Sequence, residues 1–143
     1  MIQNAGMISL ADCGEYDNIH PLDKKTPGER LFQLAKNLVY DKQGTITVTA
    51  AQLFSDNGKL YVTFDHLHEK LVMQTANGCP FEISGEDNLF YPAKADVIHG
   101  NMLCLSNPAV KFPSAVKYAW YNFGEAVLFT ESGNPVSPFF KCV

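Results

Sequence analysis

The hydrophobic period of this chain changes near Gly44, and that change limits the possible fold more than any other feature. Before Gly44, apolar residues recur three and four positions apart between Leu31 and Val39, which is typical of one face of a helix. After it, apolar and polar residues alternate, first at Ile46, Val48 and Ala50 and again in the run around Val62. Alternation of this kind is typical of half-buried strands. The sequence therefore predicts a helical segment followed by a separate β-rich region.

The region after residue 40 carries the signals of many short strands. Asn57-Gly58 stands between two alternating runs, and this dipeptide is typical of a tight hairpin turn. Turn residues separate further short apolar runs, which lie near residues 71–75, 81–84, 93–98, 102–106, 115–122 and 126–130. Short strands at this spacing predict a mainly β fold, with an antiparallel β-sandwich over residues 41–143.

Residues 1–40 differ from the rest, because they predict a strand, a loop and a helix. Residues 6–13 form a short apolar run, which is typical of a strand buried on both faces of a parallel sheet. Thr26, Pro27 and Glu29 occupy the N-cap, N1 and N3 positions of a capping box and predict where the helix begins. A single strand of this type has no sheet of its own. Residues 1–40 are therefore either the tail of a larger α/β domain or a unit that packs directly on the sandwich.

Composition excludes several classes of protein. The net charge is -4 and no cluster of Lys or Arg is present, which disfavours nucleic acid as a partner. No apolar run approaches the roughly 20 residues of a membrane-spanning helix, and residues 1–7 do not have the pattern of a signal peptide. The 4 cysteines form no Cys-x-x-Cys pair, so we expect reduced, mostly buried thiols. The sequence does not indicate the compartment in which the protein is located.

Asp17 and His20 are the candidate catalytic residues. They lie three positions apart in the polar loop between the predicted strand and helix. A histidine base needs an acceptor that holds its Nδ1–H, so that Nε2 faces the nucleophile, and an aspartate in the same turn can supply that acceptor. The alternative is a solvated loop histidine beside a turn-forming aspartate.

Several segments together resemble one enzyme family. Residues 14–25 read Gly-Glu-Tyr-Asp-Asn-Ile-His-Pro-Leu-Asp-Lys-Lys, and Gly-Glu-Arg-Leu follows at residues 28–31. Farther along, residues 81–87 read Phe-Glu-Ile-Ser-Gly-Glu-Asp, and residues 116–120 read Val-Lys-Tyr-Ala-Trp. In this order they resemble the C-terminal part of the sialate O-acetylesterases, which are carbohydrate esterases of the SGNH type.

This resemblance implies a fold, a reaction and a site. Residues 1–40 would be the tail of an SGNH α/β (flavodoxin-like) hydrolase domain, and residues 41–143 an accessory β-sandwich. The intact enzyme would be a serine esterase that removes O-acetyl groups from sialic acid or a related sugar, without a cofactor. His20 would be the general base and Asp17 its orienting acid. Many relatives read Asn-Asp-Ile-His where this chain reads Asp-Asn-Ile-His, so a backbone carbonyl is the alternative acceptor for His20.

The nucleophile that the resemblance implies is absent from the sequence. No serine here stands in a Gly-x-Ser turn between a strand and a helix. We therefore expect the chain to be inactive alone and to need a missing N-terminal catalytic region as its partner. The alternative is a non-catalytic β-sandwich that binds carbohydrate or serves a structural role.

Two further groups have structural interpretations. His66 and His68 share a strand face, as metal ligands can, but the sequence offers no obvious third ligand and an exposed pair is expected. Tyr118, Trp120 and Tyr121 could stack on a sugar ring, but we expect them to pack in the core, with Tyr118 and Trp120 on one strand face.

Overall fold

The computed structural model of the protein describes residues 5–41, 47–75 and 78–143, and Gly44 and Ile46 lie outside these ranges. One helix, α1, spans Lys25–Ala35 and continues into a π-helical segment, Lys36–Asp41. Ten strands follow: β1 Thr49–Asp56, β2 Lys59–Asp65, β3 Leu71–Met73, β4 Phe81–Ser84, β5 Tyr91–Pro92, β6 Lys94–Ile98, β7 Met102–Ser106, β8 Ala115–Tyr118, β9 Leu128–Thr130 and β10 Phe139–Cys142.

The strands form an antiparallel sandwich, which confirms the predicted mainly β fold. One sheet has the order β1-β2-β7-β6, the other has the order β10-β8-β4-β5, and β3 pairs with β9. Every pairing of named strands is antiparallel. The β1–β2 turn is the predicted hairpin, and Asn57 and Gly58 both have positive φ, as a type I′ turn requires.

The core lies between the two large sheets. Alternate residues of the central strands point inward and are inaccessible to solvent, among them Leu60 and Val62 on β2 and Leu103 and Leu105 on β7. Tyr118 on β8 packs against Phe81 and Phe139 with ring centroids 4.7 and 5.3 Å apart. Burial of these apolar faces is what stabilises the sandwich.

Tyr118 also connects the core to the following loop. Its hydroxyl accepts hydrogen bonds from the backbone N–H groups of Val127 (3.1 Å) and Leu128 (2.9 Å). Burial raises the pKa of this hydroxyl, although the two backbone donors act in the opposite direction. Because these N–H groups belong to the first residue of β9 and the residue before it, Tyr118 fixes the position at which β9 begins.

The strand predicted within residues 6–13 is wrong, because the described residues before Lys25 contain no strand. A parallel strand forms only beside other strands that complete its hydrogen bonds, and no described strand pairs with this segment. Gly6 instead packs against the helix, where a Cβ would lie 2.7 Å from Leu38 Cδ1. The Thr47 hydroxyl donates a hydrogen bond to the Met7 carbonyl and ties the segment to the sandwich.

The predicted capping box is also wrong. The helix begins at Lys25, and its N-cap residue Lys24 makes no side-chain bond. Asp23 Oδ1 accepts the N–H of Thr26 at 3.0 Å and so satisfies one of the free donors of the first turn. Glu29 instead lies 3.7 Å from Lys25 in an exposed ion pair.

The apolar stripe of the helical segment is mostly uncovered. Leu34 is buried, but Leu31 and Val39 are 54% and 53% exposed, so the stripe does not dock on the sandwich. Other large apolar side chains of residues 5–41 that are at least 40% exposed are Met7, Leu10, Tyr16, Ile19, Leu22, Phe32 and Tyr40. Exposed apolar surface of this extent is typical of an interface. The predicted boundary between the α/β tail, residues 1–40, and the β-sandwich, residues 41–143, stays a prediction.

Two side-chain predictions are also corrected. The 4 cysteines are unpaired, but Cys79 and Cys142 are exposed rather than buried. Strand β8 ends at Tyr118 because Ala119 has a φ of 48°, so Trp120 does not share its face. Trp120 is 57% exposed, and the prediction that it packs in the core is wrong.

Candidate functional site

The loop between residues 12 and 23 is anchored to α1 by an ion pair between Asp12 and Arg30. The two guanidinium nitrogens Nη1 and Nη2 each lie 2.6 Å from one Asp12 carboxylate oxygen. Arg30 Nη1 also donates to the Ser9 carbonyl at 3.0 Å. The side chains of Arg30 and Asp12 are only 11% and 23% exposed. A bidentate pair of this kind fixes orientation as well as distance, so it sets where the loop starts.

The ion pair changes the acid–base properties of its neighbourhood. Burial raises the pKa of Asp12, but the hydrogen bonds and charge of Arg30 outweigh it and hold that pKa below its ordinary value. Burial, together with the charge of Asp12, raises the pKa of the Cys13 thiol. Cys13 therefore remains a protonated thiol at neutral pH, which disfavours it as a nucleophile.

Glu15 organises the loop itself. Its Oε1 accepts the backbone N–H of Leu22 and its Oε2 accepts Asn18 Nδ2, both at 2.8 Å. Asn18 Oδ1 in turn accepts the backbone N–H of His20 at 2.9 Å. The backbone bond from Leu22 and the side-chain bond from Asn18 lower the pKa of Glu15. The Asn18 amide and the Glu15 carboxylate therefore hold the backbone at His20 and at Leu22.

The two predicted catalytic side chains lie at the surface of this loop. Asp17 and His20 are both exposed, and the structure gives neither side chain a hydrogen-bond partner within the described ranges. The imidazole is thus accessible to a group that approaches from outside the loop. Whether Asp17 orients it stays a prediction.

A ring contact connects the loop to the sandwich. Tyr16 packs edge-on against Phe123, with 5.5 Å between ring centroids. Phe123 lies in the loop after β8, which Tyr121 closes by donating its hydroxyl to the Glu125 carbonyl at 2.7 Å. The loop that carries His20 therefore contacts the sandwich through this exposed ring pair. Sequence reasoning missed Glu15, Arg30 and Phe123, since nothing in the local pattern shows which distant groups will pair.

A cleft lies elsewhere, between α1 and the sandwich. It has a volume of about 890 Å³, and its lining includes Arg30, His66, His68 and Ser132 but neither Asp17 nor His20. The Ser132 hydroxyl donates to a carboxylate, Glu69 Oε1, at 2.5 Å, and its other bonds are to Thr130 and Asn134. Burial raises the pKa of Glu69, but the bonds from Ser132 and Thr130 lower it overall, which makes the carboxylate a poor base.

Among the described residues, no group of three or more His, Cys, Asp and Glu side chains could hold a metal ion.

Acid should release the loop from the helix. Asp12 has its pKa lowered in the folded chain, so its contribution is complete above its ordinary value of 3.8 and is lost as pH falls through the lower folded value. We expect Asp12→Asn to lose about 1 kcal/mol or less of stability at pH 7, because solvent screens this partly exposed pair. The difference from the parent should shrink below pH 3, as measured by urea unfolding.

The exposed ion pair of Lys94 and Asp96 provides the control for that experiment. Its nitrogen and oxygen lie 3.1 Å apart, with side chains 75% and 54% exposed. Asp96→Asn should change stability by only a few tenths of a kcal/mol at either pH. Equal losses from both variants would contradict the anchoring role of Asp12.

No protein-family model matches the chain, and no curated protein matches it. A solved structure does match: that of XAC1771, described as a novel carbohydrate acetylesterase from Xanthomonas citri. The identity is 32%, the TM-score is 0.79, and the match covers 91% of this chain and 31% of that chain. The chain is therefore related to a carbohydrate acetylesterase over less than a third of that protein's length.

No helix within the described residues has the length and apolarity that a membrane crossing requires.

Proposed function

We propose that this chain supplies the histidine-bearing segment and the β-sandwich of a serine esterase that removes O-acetyl groups from sialic acid or a related sugar. The observation that carries the proposal is the match, over nearly the whole chain, to part of a carbohydrate acetylesterase. The segments that resemble the SGNH-type sialate O-acetylesterases support it independently, and they include His20.

In the proposed reaction, His20 is the general base. It takes the proton from a serine hydroxyl as that oxygen attacks the acetyl carbonyl, and it returns the proton to the departing sugar oxygen. The acetyl-enzyme is then hydrolysed by a water molecule that His20 activates in the same way. Asp17, three residues earlier in the same turn, would orient the imidazole and stabilise its positive charge. The exposed position of His20 fits this role, because the nucleophile has to approach from outside the loop.

The serine would come from a catalytic region outside the given sequence. Ser9 and Ser84 are poor candidates because their hydroxyl oxygens are buried. The uncovered apolar side chains between Met7 and Tyr40 support a partner on this side of the molecule, since such a surface is stabilised when a second apolar surface covers it. We propose that the missing catalytic region covers it and so brings its serine to His20.

A chimera tests the proposal. The aligned third of XAC1771 would be replaced by this chain, and acetate release would be measured from O-acetylated sialic acid and from acetylated xylose oligomers. We expect the chimera to release acetate, faster from the sialic acid, and the purified chain alone to show no turnover that a serine reagent inhibits. The parent esterase, rebuilt with the same junction residues, is the control.

Two outcomes would overturn the proposal. One is a chimera that folds as well as the parent, by circular dichroism, and still lacks activity on both esters. The other is serine-reagent-sensitive turnover by the purified chain alone. Activity on the xylose ester alone would leave the esterase role in place and contradict the sialic acid substrate.

A further inference from the structure

Three aromatic rings and a lysine form a surface patch on the β10-β8-β4-β5 sheet. The aromatic patch consists of Phe90, Lys117, Trp120 and Phe140. Phe140 is central, with its ring centroid 5.9 Å from that of Phe90 and 6.1 Å from that of Trp120. Lys117 Nζ lies 3.8 Å from the centre of the Phe90 ring and 5.8 Å from that of Phe140. The patch thus combines apolar ring surface with a positively charged hydrogen-bond donor.

The fold exposes this patch instead of burying it. Phe139 points into the core, so Phe140, the next residue of β10, points outward and is 44% exposed. Trp120 lies outside because the positive φ of Ala119 ends β8 after Tyr118. Indole and phenyl rings contribute most to stability when buried, so their exposure next to one another needs an explanation.

Polar groups and a groove adjoin the rings. Glu82 of β4 is directly opposite Lys117, which in turn is opposite Phe140, so a carboxylate, an ammonium and a ring follow one another across three strands. No carboxylate within the described ranges forms an ion pair with Lys117. A groove of about 300 Å³ runs beside Trp120 and Phe140 and is also lined by Ser137 and Pro138.

We propose that the aromatic patch and its groove bind one pyranose sugar of a glycan. The apolar face of a pyranose ring, with its axial C–H bonds, stacks on aromatic rings. Its hydroxyls need donors and acceptors at the edge of the rings, which Lys117 and Glu82 supply. The rings are tilted, with interplanar angles of 51° and 71°, and so match a single sugar better than the flat face of a polysaccharide sheet. The charges of Lys117 and Glu82 complement sugar hydroxyls, whereas a purely apolar protein surface would leave both unpaired.

This site is separate from the proposed esterase function. The groove is lined by residues of β1 and β10 together with Trp120, Ser137 and Pro138, and no residue of the His20 loop is among them. Sugar binding therefore requires neither a serine nor a catalytic region. It would retain a glycan next to the enzyme without taking part in ester cleavage.

Trp120 gives the experiment a specific signal, because it is the 1 tryptophan of the chain. The purified chain would be titrated with methyl galactopyranoside and with the methyl glycoside of N-acetylneuraminic acid, while tryptophan fluorescence is recorded. We expect a saturable change with at least one of them. Phe140→Ala, which keeps the reporter, should weaken binding by about tenfold, as should Lys117→Met.

A matched control is available on the other sheet. Phe54 is 43% exposed and stacks on Tyr61 at 4.9 Å, so Phe54→Ala removes a comparable exposed ring outside the patch. It should leave the affinity unchanged. The proposal is overturned if neither sugar gives a saturable change, or if Phe54→Ala and Phe140→Ala weaken binding equally.

The chimera described above tests the remaining alternative, in which the catalytic region covers the patch. If that were so, Trp120 emission would shift to shorter wavelength in an otherwise tryptophan-free chimera, and the sugars would no longer change it. Such a result would overturn the sugar site and leave the esterase proposal intact. An inactive chimera that folds and still binds sugar through Phe140 would overturn the esterase proposal and leave the sugar site intact.

Discussion

Replacement of His20 by glutamine in the chimera is expected to lower kcat for acetate release by about four to six orders of magnitude. The reason is that a serine hydroxyl is a weak nucleophile until a base takes its proton, and glutamine cannot accept that proton. Because the His20 side chain is exposed and makes no hydrogen bond to the described residues, its removal should not unfold the loop. Circular dichroism and thermal unfolding of the variant should match those of the parent chimera.

Asp17→Asn is expected to lower kcat by about two to four orders of magnitude, because the amide favours the wrong tautomer of the imidazole. A loss of less than tenfold would indicate that a backbone carbonyl holds His20, as the order Asp-Asn-Ile-His leaves open. His68→Gln is the matched control, since His68 is also exposed but lines the larger cleft. If that variant, and not His20→Gln, abolished activity, the site would lie in the cleft and our assignment would be wrong.

The second large effect concerns stability. Tyr118→Phe should destabilise the sandwich by about 2 to 4 kcal/mol, as measured by urea unfolding. The ring stays, but the backbone N–H groups of Val127 and Leu128 lose their acceptor in a place that water does not reach. An unpaired buried donor costs about 1 to 3 kcal/mol, and this substitution leaves two.

Tyr121→Phe is the control for that measurement. Its hydroxyl also makes a backbone hydrogen bond, but the side chain is 45% exposed, so water can replace the lost partner at the Glu125 carbonyl. We expect a loss of about 1 kcal/mol or less. Similar losses from the two variants would mean that the Tyr118 hydroxyl contributes little beyond its ring.

The sandwich could be predicted from sequence because its signals are local. Alternation of apolar residues and the Asn57-Gly58 turn depend on neighbours in the chain, and the structure confirms both. The strand predicted in residues 6–13 failed for the opposite reason. An apolar run becomes a strand only if another strand accepts its hydrogen bonds, and that partner is not specified by the run itself. Strands β5 and β10 were missed because one contains Pro92 and the other lies at the chain end.

The candidate site was predictable only in part. The type and spacing of Asp17 and His20 pointed to acid–base chemistry, but the residues that hold the loop were not evident. The pairing of Asp12 with Arg30 spans 18 positions, and the contact of Tyr16 with Phe123 joins the loop before α1 to the loop after β8. Such pairs depend on the folded geometry, and no local pattern specifies them. Trp120 was misplaced for a related reason, since a single positive φ at Ala119 reversed the expected burial.

The contact between Tyr16 and Phe123 makes the word accessory misleading for the β-sandwich. Phe123 lies between Tyr118, at the end of β8, and the two backbone groups at residues 127 and 128 that Tyr118 fixes. We therefore expect a change in how these core strands pack to shift Phe123, the ring that Tyr16 of the His20 loop contacts. If the proposed esterase is right, its heat inactivation should coincide with melting of the β-sheets. Removing the sandwich would also remove Phe123, against which Tyr16 of the proposed catalytic loop packs.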